Sequence, residues 1–253
     1  MDYDGLLKLV KERRSRRRFK PDPIPDDYIH RILDVARWAP SGFNLQPWEF
    51  VVVKREDLRK KICESIGAGF GAFAEMEQTR EAWQGRKWDF TDMSDEEGDY
   101  TVAPVFIILY GDSRTKAGLP MITRYDAYGC NMIWMATLAN AFLYIHLAAT
   151  TLGLATQWLS IISYPYAHCM VKDLLGIPHY MEVFDMVALG YPAIEPPKKF
   201  MRDLDDMVHY DDCGEDDFRS EEEMRDFTNR ARSWNIGIHS KKAEANPDTG
   251  DGE

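Results

Sequence analysis

Apolar residues recur at helical spacing in some stretches and form unbroken runs in others, and this pattern predicts the elements. Leu6, Leu7, Leu9 and Val10 mark a short amphipathic helix that runs into a basic cluster at residues 13–18. Residues 21–25 (PDPIP) break it. Asp26 or Asp27 then caps a second helix through Ile29, Ile32, Leu33, Val35 and Ala36, which ends before Pro40. Residues 48–53 (WEFVVV) read as a buried strand, and Leu58, Ile62 and Ile66 as a helix ended by Gly67, Gly69 and Gly71. Periodicity then weakens over about residues 68–100, which are rich in Trp, Met and charge and read as a lid-like insertion. Residues 103–110 (APVFIILY) form a second buried strand. A long helix at about 125–152 closes at Gly153, and residues 154–162 resume as a strand. A short helix near 171–175 ends at Gly176 and Pro178, and residues 183–189 (VFDMVAL) make a fourth strand. Helices and strands mix without strict βα alternation, so the fold class is α+β.

The long helix raises a membrane question. No Asp, Glu, Lys or Arg occurs from 127 to 171, and residues 132–149 satisfy the length test for a membrane span. Against that, Thr137, Asn140 and Tyr144 form a polar stripe, and Asn131 and His146 add polarity that lipid would penalise. The pattern fits a helix buried on nearly all sides, in a large core or at a subunit interface.

Composition narrows the classes further. With 253 residues and 45% hydrophobic content, the chain can bury a sizeable core. A net charge of −11 argues against a general nucleic-acid partner. Cys63, Cys130, Cys169 and Cys213 form no CxxC pair, which fits a reduced cytosolic compartment better than a disulfide or zinc scaffold. The first residues offer no apolar run of a secretory signal. Acids crowd the stretch after 203, and 241–253 has the composition of a disordered end. The organisation expected is therefore one domain over 1–210, containing the lid, and an acidic extension over 211–253.

Two local motifs carry chemistry. Arg13, Arg14, Arg16, Arg17 and Arg18 flank Ser15 in an otherwise acidic chain. Guanidinium forks and a hydroxyl match phosphate oxygens, although a solvated charge run has the same composition. The second motif, residues 40–48 (PSGFNLQPW), is stiffened by prolines. Its Asn44 and Gln46 either satisfy one another or read the edge of a heterocycle. Gly67, Gly69 and Ala72 match a loose dinucleotide pattern but follow a helix, where that fingerprint needs a strand. His168, Cys169 and His179 lack metal-ligand spacing.

In order, RRSRRRF, WAPSGFNLQPW, the uncharged helix, LGLATQW, LLGIP, ALGYP and PPKKFMR resemble the FMN-dependent nitroreductase superfamily over about residues 6–210. The resemblance implies an α/β/α sandwich with a mainly antiparallel sheet, an obligate homodimer, and FMN at the subunit interface. By it, Arg13, Arg14, Ser15 and Arg17 match the family's cofactor-binding segment, in which Arg13 and Ser15 hold the phosphate and ribityl chain and Arg17 faces the pyrimidine edge. There a fixed cation offsets the negative charge that reduction leaves near N1 and O2. Pro40, Ser41, Gly42 and Asn44, with Gln46, match the loop that approaches the flavin. Trp158, Leu159 and Ser160 match the backbone beside N5 and O4, and Lys199 and Arg202 match a C-terminal basic group on the phosphate.

The implied reaction is ping-pong, from NAD(P)H through FMN to a nitroaromatic, quinone or related small aromatic acceptor, with no obligatory protein acid or base. Phe73, Trp83, Trp88 and Tyr100, with Phe70, are the candidate acceptor-facing residues of the lid. Iodotyrosine deiodinases of the superfamily clamp a substrate zwitterion with a Glu, a Tyr and a Lys, whereas residues 95–100 here read DEEGDY, without a Lys. Reductive dehalogenation of aromatic substrates and a non-enzymatic FMN sensor are the alternatives on the same fold.

Overall fold

Strands β1 (Phe19–Lys20), β2 (Trp48–Val53), β3 (Val105–Asp112), β4 (Ala155–Leu159) and β5 (Met181–Pro192) form one antiparallel sheet in the computed structural model, which describes residues 2–78, 99–196, 199 and 201–237. The order is β1-β5-β3-β2, with β4 paired to β5. Long β5 is the spine. It pairs with β3 from Met181 to Leu189, with β4 from Met186 to Gly190 and with β1 at Tyr191 and Pro192.

Alternation along these strands feeds two cores. Ile107, Leu109, Val187 and Leu189 face helices α2 (Asp26–Ala36) and α5 (Ala127–Thr151), the latter reached through α1 (Tyr3–Glu12), α3 (Glu56–Gln78) and α4 (Met121–Arg124) in chain order. Phe106, Ile108, Tyr110, Met186 and Ala188 face α3 and α6 (Pro165–Leu175). The result is the α/β/α sandwich of the expected α+β class. Helix α5 passes the length and composition test for a span, yet it buries Leu138, Ala141, Phe142, Ile145 and Ala149 against the sheet and α2.

One close approach sets the sheet-to-helix distance. An added Cβ at Gly111 would overlap the Trp134 ring of α5 and come within 2.7 Å of Leu138 Cδ1. Gly111→Ala is therefore expected to destabilise folding by about 1–3 kcal/mol, the range for overpacking. The shift in urea midpoint at unchanged slope measures it.

Several boundaries differ from those the sequence predicts. Helix α3 runs through Gly67, Gly69 and Gly71 instead of ending there, because a glycine stops a helix only where it turns left-handed, and only Gly153 (φ 70°) and Gly176 (φ 67°) do so among the described glycines. The expected strand at 154–162 ends at Leu159 and turns into a 3₁₀ segment, Ser160–Ser163. Helix α6 starts earlier, with Pro165 in its first turn. Asp26 is the first helical residue of α2, not its cap, which is Pro25.

The chain divides into two compact units, Met1–Pro196 and Pro197–Glu253, upstream of the expected 210/211 boundary. The second contains helix α7 (Glu221–Gly237), where only an acidic extension is expected from the sequence. Glu221, Glu222 and Glu223 sit in its first turn, where the helix dipole favours acids.

Candidate functional site

Three backbone segments of the first unit pack on or belong to α5 and β4. Helix α1 ends as the Arg13 N–H bonds the Leu9 carbonyl, and the chain then runs extended along β4. Ser15 bridges Thr156 in parallel, and the Arg16 N–H donates to the Thr156 carbonyl at 2.9 Å. The arginine segment is thus seated on β4 by main-chain bonds. The Arg16 side chain is engaged, with Nη1 3.2 Å from Glu195 and 3.5 Å from the Ile194 carbonyl.

Arg13 and Arg17 differ from it. Both are partly buried, and neither guanidinium has an ion-pair or hydrogen-bond partner among the described residues. Burial lowers the pKa of both, and the Arg14 charge adds to the effect at Arg13. Desolvated guanidiniums without a counter-charge are costly, and an anion bearing several oxygens would relieve that cost.

The loop after α2 is strained and pinned. Phe43, Asn44 and Gln46 all have positive φ (54°, 55° and 43°), each costing on the order of 1 kcal/mol. Helix α5 holds the loop from two positions: Thr137 Oγ1 accepts the Gly42 N–H at 3.1 Å, and Asn140 Nδ2 donates to the Pro40 carbonyl at 3.1 Å. Gly42 is needed for contact, since a Cβ there would lie 2.5 Å from Ile133 Cγ2. Ser41 Oγ accepts the Gln46 N–H at 3.4 Å, and Gln46 Nε2 donates to Asn44 Oδ1 at 3.0 Å. Thr137 and Asn140, read from sequence only as a polar stripe, are what fix this loop.

The third segment is the end of β4. Trp158 is 42% exposed, but its inner side meets Phe142 at 4.5 Å between ring centroids and stacks near His146 at 5.7 Å and 18°. Its indole Nε1 donates to Asp185 Oδ2 at 2.5 Å. Leu159 is buried and Ser160 exposed. His146 Nδ1 meets Thr156 Oγ1 at 2.8 Å, while buried Nε2 has no partner among the described residues. Burial, then the Arg13 charge, pushes the imidazole down to about 3, so it is neutral. Burial pushes the Asp185 carboxyl up to about 6, opposed by the Trp158 bond. From sequence His146 reads only as polarity in the long helix, and Asp185 is not singled out. A lone histidine in an apolar helix and a lone acid inside VFDMVAL were their only signals.

The structure therefore seats the 13–17 segment, through Ser15 and Arg16, on the strand that carries Trp158 and Leu159 and leads into Ser160, and docks the loop of Asn44 and Gln46, through Pro40 and Gly42, on α5. Arg14 is partly buried and has a partner of its own. Lys199 and Arg202 belong to the second unit, where Arg202 Nη2 donates to the Asp206 carbonyl at 2.7 Å and its buried Nε has no partner among the described residues. Trp83 and Trp88 lie outside the described residues, as do the side chains of Phe70 and Phe73. Tyr100 packs into the α3/α6 core beside Cys63 and Asp99, on the sheet face opposite α5. Burial, with the Cys63 and Asp99 charges, raises its phenol well above the usual range. Its side chain is thus a core element rather than an open lid residue.

Comparison with known proteins agrees with this arrangement. The sequence model described as Nitroreductase family matches residues 10–191. A relative from Archaeoglobus fulgidus, named putative NADH dehydrogenase/NAD(P)H nitroreductase, is 30% identical over 194 residues, covering 76% of this chain and 88% of its own length. Iodotyrosine deiodinase 1 of Rattus norvegicus is 27% identical over 203 residues, covering 76% of this chain and 64% of its own. A crystal structure of a nitroreductase with bound FMN from Bacteroides fragilis superposes with a TM-score of 0.59 at 21% identity, covering 84% of this chain and all of that one. The matched span runs from the arginine segment through the strained loop to the end of β5, and on that evidence the chain belongs to the nitroreductase family.

Proposed function

We propose that the protein is an FMN-dependent NAD(P)H oxidoreductase of nitroreductase type, acting on a small aromatic acceptor. The observation that carries this reading is the pair of partly buried guanidiniums, Arg13 and Arg17, without an anionic partner among the described residues, on the segment that Ser15 and Arg16 seat on β4. This donor set fits FMN: two cations and the Ser15 hydroxyl for phosphate and pyrimidine oxygens, and the exposed Trp158 and Ser160 at the end of β4 for the ring system. When bound, FMN would supply hydride acceptance from NAD(P)H and electron transfer to the acceptor. The chain's own residues bind and orient. Arg17 would hold fixed positive charge at the ring's electron-rich edge, and Arg13 with Ser15 the phosphate end. The 40–46 loop is the element that would limit acceptor approach.

A homodimer is part of this reading. Tyr128, Met132, Met135 and Leu143 are exposed on α5 at spacings that place them along one stripe, an apolar surface suited to a second copy. The acceptor has two readings, because relatives named for nitroreduction and for iodotyrosine deiodination match similar spans. Purified protein is expected to be yellow, with flavin near one per subunit, and to be bleached anaerobically by NADH or NADPH. Reoxidation by nitroaromatics and quinones faster than by halophenols supports the nitroreductase reading, and the reverse order the dehalogenase. Colourless protein that FMN does not reconstitute would overturn both.

A further inference from the structure

Two carboxylates are buried among the described residues, Asp99 at 5% exposure and Asp185 at 7%. They are used differently. Asp99 caps a turn, accepting from the Thr101 N–H at 2.8 Å and from its hydroxyl at 2.5 Å. Asp185 caps nothing. It stands inside β5, directly after a register shift between Leu109 and Tyr110 that leaves Phe184 as the extra residue. Such bulges re-aim side chains. Here Phe184 and Asp185, though consecutive, both reach the α5 side, where Phe184 meets Phe142 at 5.4 Å and Asp185 reaches Trp158.

An apolar residue in that strand would bury at no polar cost, so the carboxylate needs a reason. Its Oδ2 takes the Trp158 indole N–H, and its Oδ1 is buried without a partner among the described residues. Ser163 stands beside it and donates its own proton to the Ser160 carbonyl at 2.7 Å. The carboxylate therefore lies against both ends of the turn 158–163. Trp158, for its part, is clamped on its inner edges by Asp185, Phe142 and His146 while much of it stays open. That is the arrangement of a wall beside a site rather than of a core residue.

We propose that Asp185 is a positioning residue: by holding the Trp158 indole, it fixes the direction of main chain 158–160 against which the flavin ring would lie. This rests on the FMN reading above. A purely structural pair would lower stability when broken and leave flavin binding unchanged.

The test is a double-mutant cycle on the full chain. Trp158→Phe, Asp185→Leu and the double variant are stripped of flavin and titrated with FMN by fluorescence quenching, and the midpoint potential of bound FMN is measured for each. Each single variant is expected to weaken FMN binding by about tenfold, as loss of a charge-assisted hydrogen bond implies. Each should also shift the potential in the same direction. The double variant should be no worse than the worse single one to within about twofold, because both substitutions delete one bond. Asp185→Asn keeps an acceptor for the indole and is expected to restore most of the affinity. Wild-type affinity and potential in the single variants, whatever their stability, overturn the proposal, and so do additive losses. If Asp185→Leu does not fold, Trp158→Phe and Asp185→Asn decide: the first must lose affinity and the second must keep it. Wild-type protein that takes up no FMN overturns the functional reading and the proposal together, an outcome distinct from FMN binding that ignores both substitutions.

Discussion

Arg17→Ala is expected to weaken FMN binding by about 10- to 100-fold, and at the same time to leave the flavin-free protein as stable as wild type or more so. The two effects share one cause. Arg17 is partly buried, burial lowers its pKa, and no hydrogen-bond or ion-pair partner offsets that among the described residues. Removing it relieves a desolvation cost in the free protein and deletes a charge-assisted contact, worth about 1.5–3 kcal/mol, in the complex. A residue kept for packing gives the opposite signature, lost stability with binding unchanged. Arg16→Ala is the internal control. Its guanidinium already meets Glu195 and the Ile194 carbonyl, so flavin affinity should fall far less. Isothermal titration of flavin-free protein with FMN, paired with urea unfolding without FMN, reads both arms. Unchanged affinity in Arg17→Ala removes Arg17 from the site.

What the sequence reveals of this molecule follows from where the information is local. Strands β2, β3 and β5 are mostly apolar and rich in β-branched and aromatic residues, β4 follows the stop at Gly153, α2 carries a clear period and α5 a long uncharged length, so all are legible without a structure. Strand β1 is only two residues long and exists because β5 extends to Pro192 and offers it a partner, a tertiary fact with no local trace. The glycines of α3 look like a stop because glycine costs helix stability, but Leu58, Ile62 and Ile66 anchor that helix on the sheet and its backbone stays right-handed. The same division holds in the site. The arginine cluster and the 40–46 loop are contiguous, so they are visible as motifs. The groups that hold the loop, Thr137 and Asn140, and those that back β4, His146 and Asp185, sit far along the chain and become meaningful only when α5 and β5 pack together. Asp185 is the clearest case, because its reach to Trp158 follows a bulge that no pattern of single residues announces.

His146 and Asp185, both in contact with the Trp158 indole, carry opposite pH linkages, and separating them should change the pH dependence of stability by about 2–3 kcal/mol. Burial depresses His146 from 6.5 to about 3. Between those values the unfolded chain binds a proton that the folded one refuses, so this contribution is full above 6.5 and is lost as pH falls through the window. Burial raises Asp185 from 3.8 to about 6. Between those values the folded chain holds a proton that the unfolded one has released, so this group favours folding increasingly as pH falls from 6 to 3.8 and penalises it above. From about pH 4 to 6 one proton therefore sits on the histidine in the unfolded state and on the aspartate in the folded state, and the two slopes cancel. Asp185→Asn leaves the histidine slope alone, about 1.4 kcal/mol per pH unit. Relative to wild type, the variant should lose stability steadily as pH drops from about 6 to 4 and should run parallel to it above pH 7. His146→Gln should show the mirror image, gaining on wild type across the same window. Urea unfolding at half-unit pH steps, with the slope held common, gives the difference directly. A gap between Asp185→Asn and wild type that stays constant from pH 4 to 7 would mean that the carboxyl titrates as a solvated aspartate, and the clamp on Trp158 would then lose its buried acceptor.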